Sequence, residues 1–329
     1  MTDRRGYWQN RPVLVTGASG LVGSQLVAAL LTSGADVAVL LRDRDLRSEL
    51  FRSGNIGRVA VTEGELESLG DVERAIAESG ASVVFHLGAQ TLVGVGLNAP
   101  LLTLESNVRG TYNLLEASRR QSGTVERVVV ASSDKAYGQS DHPYAEDDAL
   151  RASSPYDVSK AAGDLIAQSY HATYGLRLGI VRCGNIYGGG DLNWSRIVPG
   201  TIRSFLKGEA PEIRSDGTYI RDYIYIGDVV DAYLAVAEAL DRPGVAGEAF
   251  NFASGAQVSV LEMVTAIAKL MGGQLPEPRV LNTAKNEIKE QRLSTEKAKR
   301  ILGWKARVSL DDGLRSTIDW YRSYLGAKP

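Results

Sequence analysis

The chain has 329 residues, and its 37 basic and 39 acidic side chains leave a net charge of −2. This balance gives no reason to expect a nucleic acid or an anionic membrane as a partner. No apolar run reaches transmembrane length, the first residues lack the apolar stretch of a signal peptide, and Cys183 is the only cysteine. We therefore expect a cytoplasmic protein without disulfides and, because its three histidines are scattered, without a metal site.

Apolar runs alternate with helical patterns through the first half of the chain, which predicts an α/β fold with a parallel sheet covered by helices on both faces. The predicted strands lie near 12–16, 36–41, 58–62, 83–87, 126–131, 176–183 and 248–252. The predicted helices lie near 21–33, 71–79, 101–121, 156–174, 195–207, 227–240, 259–272, 294–302 and 309–323. The loops at 138–154 and 184–194 are long and polar, which makes them candidates for lining a site.

A glycine-rich turn with the spacing GxxGxxG follows the first predicted strand directly. Glycine at the first position allows a sharp turn, at the second a close approach of the backbone to phosphates, and at the third close packing of helix on strand. The pattern predicts a site for the pyrophosphate of a nicotinamide dinucleotide at the start of the next helix. A tight turn without a ligand is the alternative. The residues expected to line the site are Gly17, Ser19, Gly20, Leu21, Val22 and Gly23.

The end of the second predicted strand bears on the choice between NAD and NADP. An acidic residue that binds the adenosine ribose is usual there, but the chain has Leu41 followed by Arg42. Three roles are open for Arg42: pairing with a 2′-phosphate, stacking on adenine, or exposure to solvent without a ligand. NAD and NADP therefore both stay open. Glu65, after the third strand, is either an acceptor for the adenine amine or a solvated loop acid.

Tyr156 and Lys160 lie one helical turn apart on one face of a predicted helix. A free tyrosine, with a pKa of about 10, is a poor base, and a nearby ammonium and an oxidised nicotinamide favour its phenolate. Lys160 also suits the nicotinamide ribose. Ser133, with Asp134 and Lys135 beside it, follows a strand where it can bond to the hydroxyl being oxidised. The alternatives are a coincidental YxxxK on a surface helix and a capped helix start with solvated charges.

Four further segments complete the pattern: AQTLV at 89–93, SDKAYG at 133–138, GNIYGGGD at 184–191 and IKEQRL at 288–293. With them, the chain resembles the extended short-chain dehydrogenase/reductases that act on nucleotide sugars, over residues 11–323. It is most similar to the nucleotide-sugar 4,6-dehydratases, and among these to the CDP-glucose type. This resemblance implies a Rossmann doubly wound parallel sheet with a smaller, interleaved C-terminal α/β substrate domain.

The resemblance implies transient oxidation of an NDP-hexose at C4, loss of water across C5–C6 and return of the hydride to C6. Tyr156 is then the base at the 4-hydroxyl and Asp134 the acid for the 6-hydroxyl. Dehydratases of this group carry an acid pair or Asp-Lys where Asp134 and Lys135 stand, whereas the related 4-epimerases carry small neutral residues. Lys135 is the C5 base, or a residue that holds Asp134 or an active-site water. An NDP-sugar 4-epimerase is the main alternative, and a non-catalytic dinucleotide-binding regulator is the second.

The resemblance also implies the remaining ligand contacts, the domain limits and the assembly. Further cofactor residues are Arg42, Glu65, Leu66, Leu87, Ala89 and Asn107, and the substrate residues are Gln90, Ser133, Asn185, Arg221 and Arg292. The domain expected to bind NAD (with NADP still open) comprises residues 11–183 plus about 221–252. The domain expected to bind the nucleotide sugar comprises about 184–220 plus 253–323. Residues 1–10 and 324–329 are expected to be flexible ends. A homodimer is expected to form through helices 101–121 and 156–174.

Overall fold

The computed structural model describes residues 4–283 and 288–326. Its strands are β1 Pro12–Thr16, β2 Asp36–Leu41, β3 Ala60–Glu63, β4 Val83–His86, β5 Arg127–Ala131, β6 Leu178–Cys183, β7 Asn185–Tyr187, β8 Glu212–Ile213, β9 Ile220–Tyr225, β10 Ala249–Phe252, β11 Ala256–Ser259, β12 Arg279–Val280 and β13 Glu290–Gln291. Its helices are α1 Arg5–Trp8, α2 Leu21–Thr32, α3 Glu49–Arg52, α4 Leu69–Ser79, α5 Val93–Asn98, α6 Pro100–Leu104, α7 Gly110–Arg120, α8 Pro155–Tyr174, α9 Ile197–Leu206, α10 Ile226–Ala239, α11 Val260–Met271 and α12 Leu310–Leu325. Short 3₁₀ turns cover Asn55–Arg58 and Asp134–Tyr137, and π-helical turns cover Glu105–Arg109 and Ala298–Leu302.

Seven parallel strands form the central sheet in the order β3-β2-β1-β4-β5-β6-β10. Helices α2 and α10 cover one face of this sheet, and α4, α7 and α8 cover the other. Because both faces are buried, β1, β2 and β6 are nearly continuous apolar runs. The strand order reverses between β1 and β4, and ligands bind at this point in doubly wound sheets. The predicted Rossmann fold is confirmed.

The smaller unit is built around β9. This strand pairs in parallel with β7 and β13 and antiparallel with β11, and α9, α11 and α12 pack around a separate apolar core beside it. The sequence analysis places about 221–252 in the dinucleotide-binding domain, whereas β9 pairs within the small sheet and the chain returns to the large sheet only with α10. The isoleucine and tyrosine residues of 219–225 are of the types enriched in strands.

Residues 4–10 are packed against the body, which corrects the predicted flexible end over this part; residues 1–3 of that prediction lie outside the described residues. Trp8 is fully buried, and its Nε1 donates to Oε1 of Glu238 on α10 at 2.7 Å. A buried tryptophan of this size contributes apolar burial that holds the short helix α1 in place. At the other end, α12 extends through Leu325. The residues outside the described ranges are 1–3, 284–287 and 327–329.

A buried ion pair holds the loop after β5 against the rest of the sheet. Arg182 on β6 donates from Nε and Nη2 to the two carboxylate oxygens of Asp164 on α8, at 2.8 and 2.9 Å. Its Nη1 donates to the Tyr137 hydroxyl at 2.6 Å, and that hydroxyl donates to Oδ1 of Asn251 on β10 at 2.7 Å. Tyr137 ends the 3₁₀ turn that begins at Asp134, so this network positions the turn.

We expect Arg182→Lys to lower the free energy of unfolding by about 2 kcal/mol, because an ammonium cannot replace the two-pronged bond to Asp164. Denaturant unfolding followed by circular dichroism measures this loss. The matched control is Arg177→Lys, which alters a partly exposed pair with Asp241 and should change stability by no more than about 0.5 kcal/mol. Equal losses in the two variants would contradict the prediction.

Candidate active site

The glycine turn lies between β1 and α2, at the point where the strand order reverses. Gly17 has φ +71°, in the left-handed region, and a Cβ there would lie 2.6 Å from the backbone nitrogen of Gly88. A Cβ at Gly23 would lie 2.1 Å from the Gly17 carbonyl oxygen. Gly20 is exposed at the N-cap of α2, and no side chain among the described residues caps this end. The first amides of α2 are therefore left for an anionic group, which fits the pyrophosphate of a dinucleotide.

A buried histidine that the sequence analysis did not single out connects the two strands at this reversal point. His86, at the end of β4, bonds through Nδ1 to Thr16 Oγ1 at 2.9 Å and through Nε2 to Thr111 Oγ1 at 3.1 Å. Burial, together with the charge of Lys160, lowers the pKa of His86 to about 3, so the ring is neutral. Its signal in the sequence is a histidine at the carboxyl end of an apolar strand.

The predicted adenosine end has acidic surroundings. Arg42 follows β2, and its Nε donates to Asp43 Oδ2 at 2.7 Å. The hydrogen bond to Asp43 raises the pKa of Arg42, and the charges of Glu67 and Glu65 raise it further. The cleft at this position is lined by Arg42, Glu65, Glu67, Leu101, Leu102 and Glu105. The guanidinium therefore faces several carboxylates, an arrangement that disfavours an additional phosphate.

The loops after β3 and β4 contribute the other predicted cofactor residues near the turn. Leu66 packs on the second loop, since its Cδ1 lies 2.5 Å from where a Cβ on Gly88 would be. The Leu87 amide donates to the Thr16 carbonyl at 3.3 Å, and Ala89 is partly buried in the same loop. Ser19, Leu21 and Val22 are partly buried in the turn itself. These loops therefore lie together beside the glycine turn.

Asn107 lies in the π-helical turn that interrupts the predicted helix 101–121, and it is 2% exposed. Its Oδ1 accepts from the Gln90 amide at 2.7 Å, and its Nδ2 donates to the Gln90 carbonyl at 3.0 Å. Nδ2 also donates to Ser159 Oγ at 2.8 Å. Asn107 therefore ties the loop after β4 to α8, next to Lys160. Single π-turns of this kind are frequent at functional sites.

Tyr156 and Lys160 lie on the first turns of α8, which packs beside the carboxyl end of β5. The Ser133 hydroxyl is hydrogen-bonded to Tyr156, and Lys160 Nζ donates to the Ala131 carbonyl at 2.9 Å. Burial lowers the pKa of Lys160 to about 8, against the opposing charge of Asp164. The structure therefore brings together the serine, tyrosine and lysine that the sequence predicts.

Burial raises the pKa of Tyr156 to about 12, and among the charges that act on it the largest is that of Arg196, which lowers it. The predicted source of that positive charge was Lys160, whose ammonium instead bonds to the Ala131 carbonyl. Arg196 precedes α9, and its Nη1 lies 3.0 Å from Oδ2 of Asp191. This arginine was missed; its signal is a cation at the end of the glycine-rich loop 184–194.

Asp134 lies in the 3₁₀ turn after β5 and is 4% exposed. Ser133 Oγ donates to its Oδ1 at 3.0 Å, and Gln291 Nε2 donates to its Oδ2 at 3.1 Å. Burial raises the pKa of Asp134, and the charges of Lys135 and Arg221 oppose this rise. The carboxyl is therefore held by both units of the fold and takes up a proton more readily than a free aspartate.

Two of the predicted substrate residues belong to the smaller sheet: Arg221 lies near the Asp134 carboxyl, and Asn185 has a side-chain nitrogen without a partner among the described residues. Arg221 on β9 is 7% exposed and close enough to Asp134 for its charge to act there; its Nη1 also donates to the Lys289 carbonyl at 3.2 Å. Asn185 on β7 has a buried Nδ2 without a hydrogen-bond partner among the described residues. Both side chains belong to strands of the smaller sheet.

Gln90 and Arg292, the remaining predicted substrate residues, bond to groups away from Asp134 and Tyr156. Gln90 Nε2 donates to the Leu92 carbonyl at 3.0 Å and to Thr103 Oγ1 at 3.1 Å. Arg292 forms an ion pair with Glu290, two residues before it. Neither contact involves Asp134 or Tyr156, so these two assignments stay predictions.

Within residues 4–283 and 288–326, histidine, cysteine, aspartate and glutamate side chains form no group of three that could hold a metal ion. Over the same residues, no helix combines the length and the apolar character needed to cross a bilayer. Cys183 is buried beneath the site, and burial raises the pKa of its thiol well above the usual range. The site is therefore one of serine, tyrosine, lysine and carboxyl groups beside a glycine turn.

The model of the NAD dependent epimerase/dehydratase family matches residues 13–253. The chain belongs to this family. It is 31% identical to a dTDP-glucose 4,6-dehydratase from Streptomyces griseus, over 95% of this chain and 94% of that protein. It is also 31% identical to a UDP-glucose 4-epimerase from Mycolicibacterium smegmatis, over 94% of this chain and 98% of that protein.

The family member also resembles a CDP-glucose 4,6-dehydratase from Salmonella typhimurium, at 29% identity over 98% of this chain and 93% of that protein. Among solved structures, a dTDP-glucose 4,6-dehydratase from Streptomyces venezuelae with NAD bound has a TM-score of 0.87 and 30% identity, covering 95% of this chain and 98% of that one. The chain is thus a nucleotide-sugar-modifying enzyme of the extended short-chain dehydrogenase/reductase fold. Dehydratases and epimerases are similar to it at equal identity, so the choice between the reactions depends on the site.

Proposed function

We propose that this family member is an NDP-hexose 4,6-dehydratase that forms an NDP-4-keto-6-deoxyhexose and water. The observation that carries the proposal is Asp134, a buried carboxyl with a raised pKa next to Ser133 and close to Tyr156. Loss of the 6-hydroxyl needs a proton donor, because hydroxide is a poor leaving group. A 4-epimerase returns the hydride to C4 and expels no group, so it has no use for this carboxyl.

In the proposed reaction, the Tyr156 oxygen takes the proton of the 4-hydroxyl while Ser133 bonds to the same oxygen of the sugar. Bound NAD supplies the acceptor for the C4 hydride and its return to C6. The C4 ketone acidifies the C5 proton, which a basic side chain of the site removes. Asp134 then gives its proton to the 6-hydroxyl as the C6–O bond breaks and water leaves. When the hydride returns to C6, C5 takes a proton back from the base that removed it. The glycine turn and the loops beside it hold the cofactor.

We assign Lys135 to the support of the two nearby carboxyl groups. Its positive charge acts on both Asp134 and Asp157, where it opposes the rise in pKa that burial causes. Asp157 lies in the first turn of α8, directly after Tyr156. A cation between these groups limits their mutual repulsion and steadies Asp134 beside the reacting sugar.

The test is incubation of the protein and NAD with CDP-, UDP-, dTDP- and GDP-hexoses, followed by mass analysis. A product lighter by one water from at least one of these sugars supports the proposal. An isomer of unchanged mass would replace it with 4-epimerisation. No turnover of any sugar nucleotide would favour a non-catalytic regulator.

We expect NAD to bind at least about tenfold more tightly than NADP, because a 2′-phosphate beside Arg42 would also face Glu65 and Glu67. Calorimetry on protein freed of nucleotide measures both affinities. Asp43→Asn removes the partner of Arg42, so this variant should bind NADP more tightly and NAD as before. Tighter binding of NADP by the unaltered protein would refute the preference.

We propose that the chain forms a homodimer through the helices at 101–121 and 156–174, which share an apolar surface. Its exposed side chains are Leu101, Leu102, Leu104, Tyr112, Val158 and Leu165. Exposed apolar side chains grouped on neighbouring helices are typical of an interface. At micromolar concentration we expect light scattering to give twice the 35.4 kDa chain mass.

Leu165→Glu places a charge in that surface and should give the monomer mass. The matched control is Leu46→Glu, at a leucine that is 72% exposed and outside the surface, which should stay dimeric. A monomeric unaltered protein would overturn the assignment.

A further inference from the structure

Gln291 is a fully buried side chain of the smaller sheet that reaches into the proposed catalytic site. It lies on β13, where it is paired with Arg221 of β9. Its Nε2 donates to Asp134 Oδ2 at 3.1 Å, across 157 positions of sequence. Its Oε1 is also buried and has no hydrogen-bond partner among the described residues. A buried amide with one unmatched oxygen is costly, which suggests that this oxygen has a use at another stage.

The acid of a dehydration alternates between two states in every turnover. As a carboxylate, Asp134 accepts hydrogen bonds, and Gln291 Nε2 donates one. As a carboxylic acid it carries an O–H group that needs an acceptor, and Gln291 Oε1 can supply it after a half turn of the amide. The other oxygen of Asp134 already accepts from Ser133 Oγ at 3.0 Å. The Gln291 amide can therefore hydrogen-bond to Asp134 in both its ionised and its protonated state without a movement of the backbone.

We propose that Gln291 is a positioning residue that holds the Asp134 carboxyl in both its ionised and its protonated form. The inference rests on the proposed dehydratase function. In the step it serves, the C5–H electron pair forms the C5=C6 double bond and the C6–O pair leaves with the oxygen. The Asp134 proton completes the departing water, and Asp134 becomes the carboxylate that Gln291 Nε2 then holds.

Strand pairing links Gln291 to the residues of the smaller unit that are expected to bind the substrate. Gln291 and Arg221 are direct neighbours in the ladder between β13 and β9, and Arg221 is one of the predicted substrate residues. The unit that binds the sugar nucleotide therefore also orients the acid that acts on it. The titratable and charged groups that act on Asp134, or on which it acts, are Lys135, Tyr144, Tyr156, Asp157, Cys183, Arg221 and Asp222.

The first test is Gln291→Met, which keeps the length of the side chain and removes the amide. We expect C4 oxidation to persist, seen as absorbance of reduced nicotinamide on mixing with the sugar nucleotide that the unaltered enzyme dehydrates. Water loss should fall by about 10- to 100-fold with little change in KM, since Asp134 is no longer oriented. The alkaline limb of its pH profile should move to higher pH, because the carboxylate loses a donor.

The matched control is Gln168→Met. Gln168 Nε2 donates to Asp164 Oδ1 at 2.7 Å, which is an equivalent amide–carboxylate bond away from Asp134. This variant should keep the rate of water loss and the pH profile of the unaltered enzyme. Thermal unfolding of all variants shows whether each is folded.

Gln291→Glu decides the question if Gln291→Met does not fold. A glutamic acid has the same shape and both donates and accepts when protonated, so water loss should recover at acidic pH. At alkaline pH it should be lost, because two adjacent carboxylates repel each other. An unchanged pH profile in the folded variant, or equal slowing of oxidation and water loss, would overturn the inference. No water loss by the unaltered enzyme from any sugar nucleotide would overturn the proposed function instead.

Discussion

Tyr156→Phe is expected to slow oxidation at C4 by about 10²- to 10⁴-fold, which is the usual contribution of a positioned base. The variant keeps the aromatic ring and loses only the oxygen that takes the 4-hydroxyl proton. The Ser133 hydroxyl loses its hydrogen bond to Tyr156 but keeps the one to Asp134. Rapid mixing of the NAD-loaded enzyme with the sugar nucleotide, followed by the absorbance of reduced nicotinamide, measures this step directly.

Tyr174→Phe is the matched control, because this tyrosine ends the same helix and is 57% exposed. It should oxidise the sugar at the rate of the unaltered enzyme. Binding of the sugar nucleotide should be similar in all three proteins. A Tyr156→Phe variant that keeps more than a tenth of the oxidation rate would show that another group is the base.

Asp134→Asn is expected to separate oxidation from dehydration. The amide has nearly the shape of the carboxyl but no acidic proton, so water loss should fall by about 10²- to 10⁴-fold while oxidation stays within about tenfold. Reduced nicotinamide should then accumulate on the enzyme. Mass analysis of the sugar nucleotide, taken with the absorbance record, distinguishes the two steps.

The control for this substitution is Asp141→Asn, at a carboxylate whose side chain is 99% exposed. It should leave both steps unchanged. Undiminished water loss in Asp134→Asn would remove the aspartate from the mechanism. Undiminished formation of an isomer of unchanged mass would favour the epimerase, because epimerisation needs no acid at this position.

The central sheet was predictable because each of its elements is encoded locally. Buried parallel strands are short apolar runs, and the intervening helices have recognisable apolar faces and ends. Thus the prediction of a strand at 36–41 and a helix near 21–33 agrees with β2 and α2 within one residue at each end. Strand β9 was not predicted, and about 221–252 was expected to belong to the dinucleotide-binding domain; β9 instead pairs within the small sheet, because strand partners are set by packing and not by the strand's own residues.

The N-terminal segment is a second case in which packing, and not the local sequence, decides the structure. Residues 1–10 were expected to be a flexible end, but Trp8 is buried beside α10 and bonds to Glu238. Burial of one large aromatic residue outweighs the polar character of its neighbours. The space that Trp8 fills exists only because α10 lies there in the folded chain, so no local sequence pattern predicts it.

The reactive groups that lie close together in sequence were predictable from short-range geometry alone. One turn of helix places Tyr156 beside Lys160, adjacency places Ser133 beside Asp134, and a tight turn needs glycine at 17 and 23. The groups that adjust their chemistry come from distant segments: Arg196 acts on Tyr156, and Gln291 bonds to Asp134. Those contacts exist only because the small sheet packs over the carboxyl ends of the large one. Burial at this position raises the pKa of Asp134 and of Tyr156, and no sequence pattern measures burial.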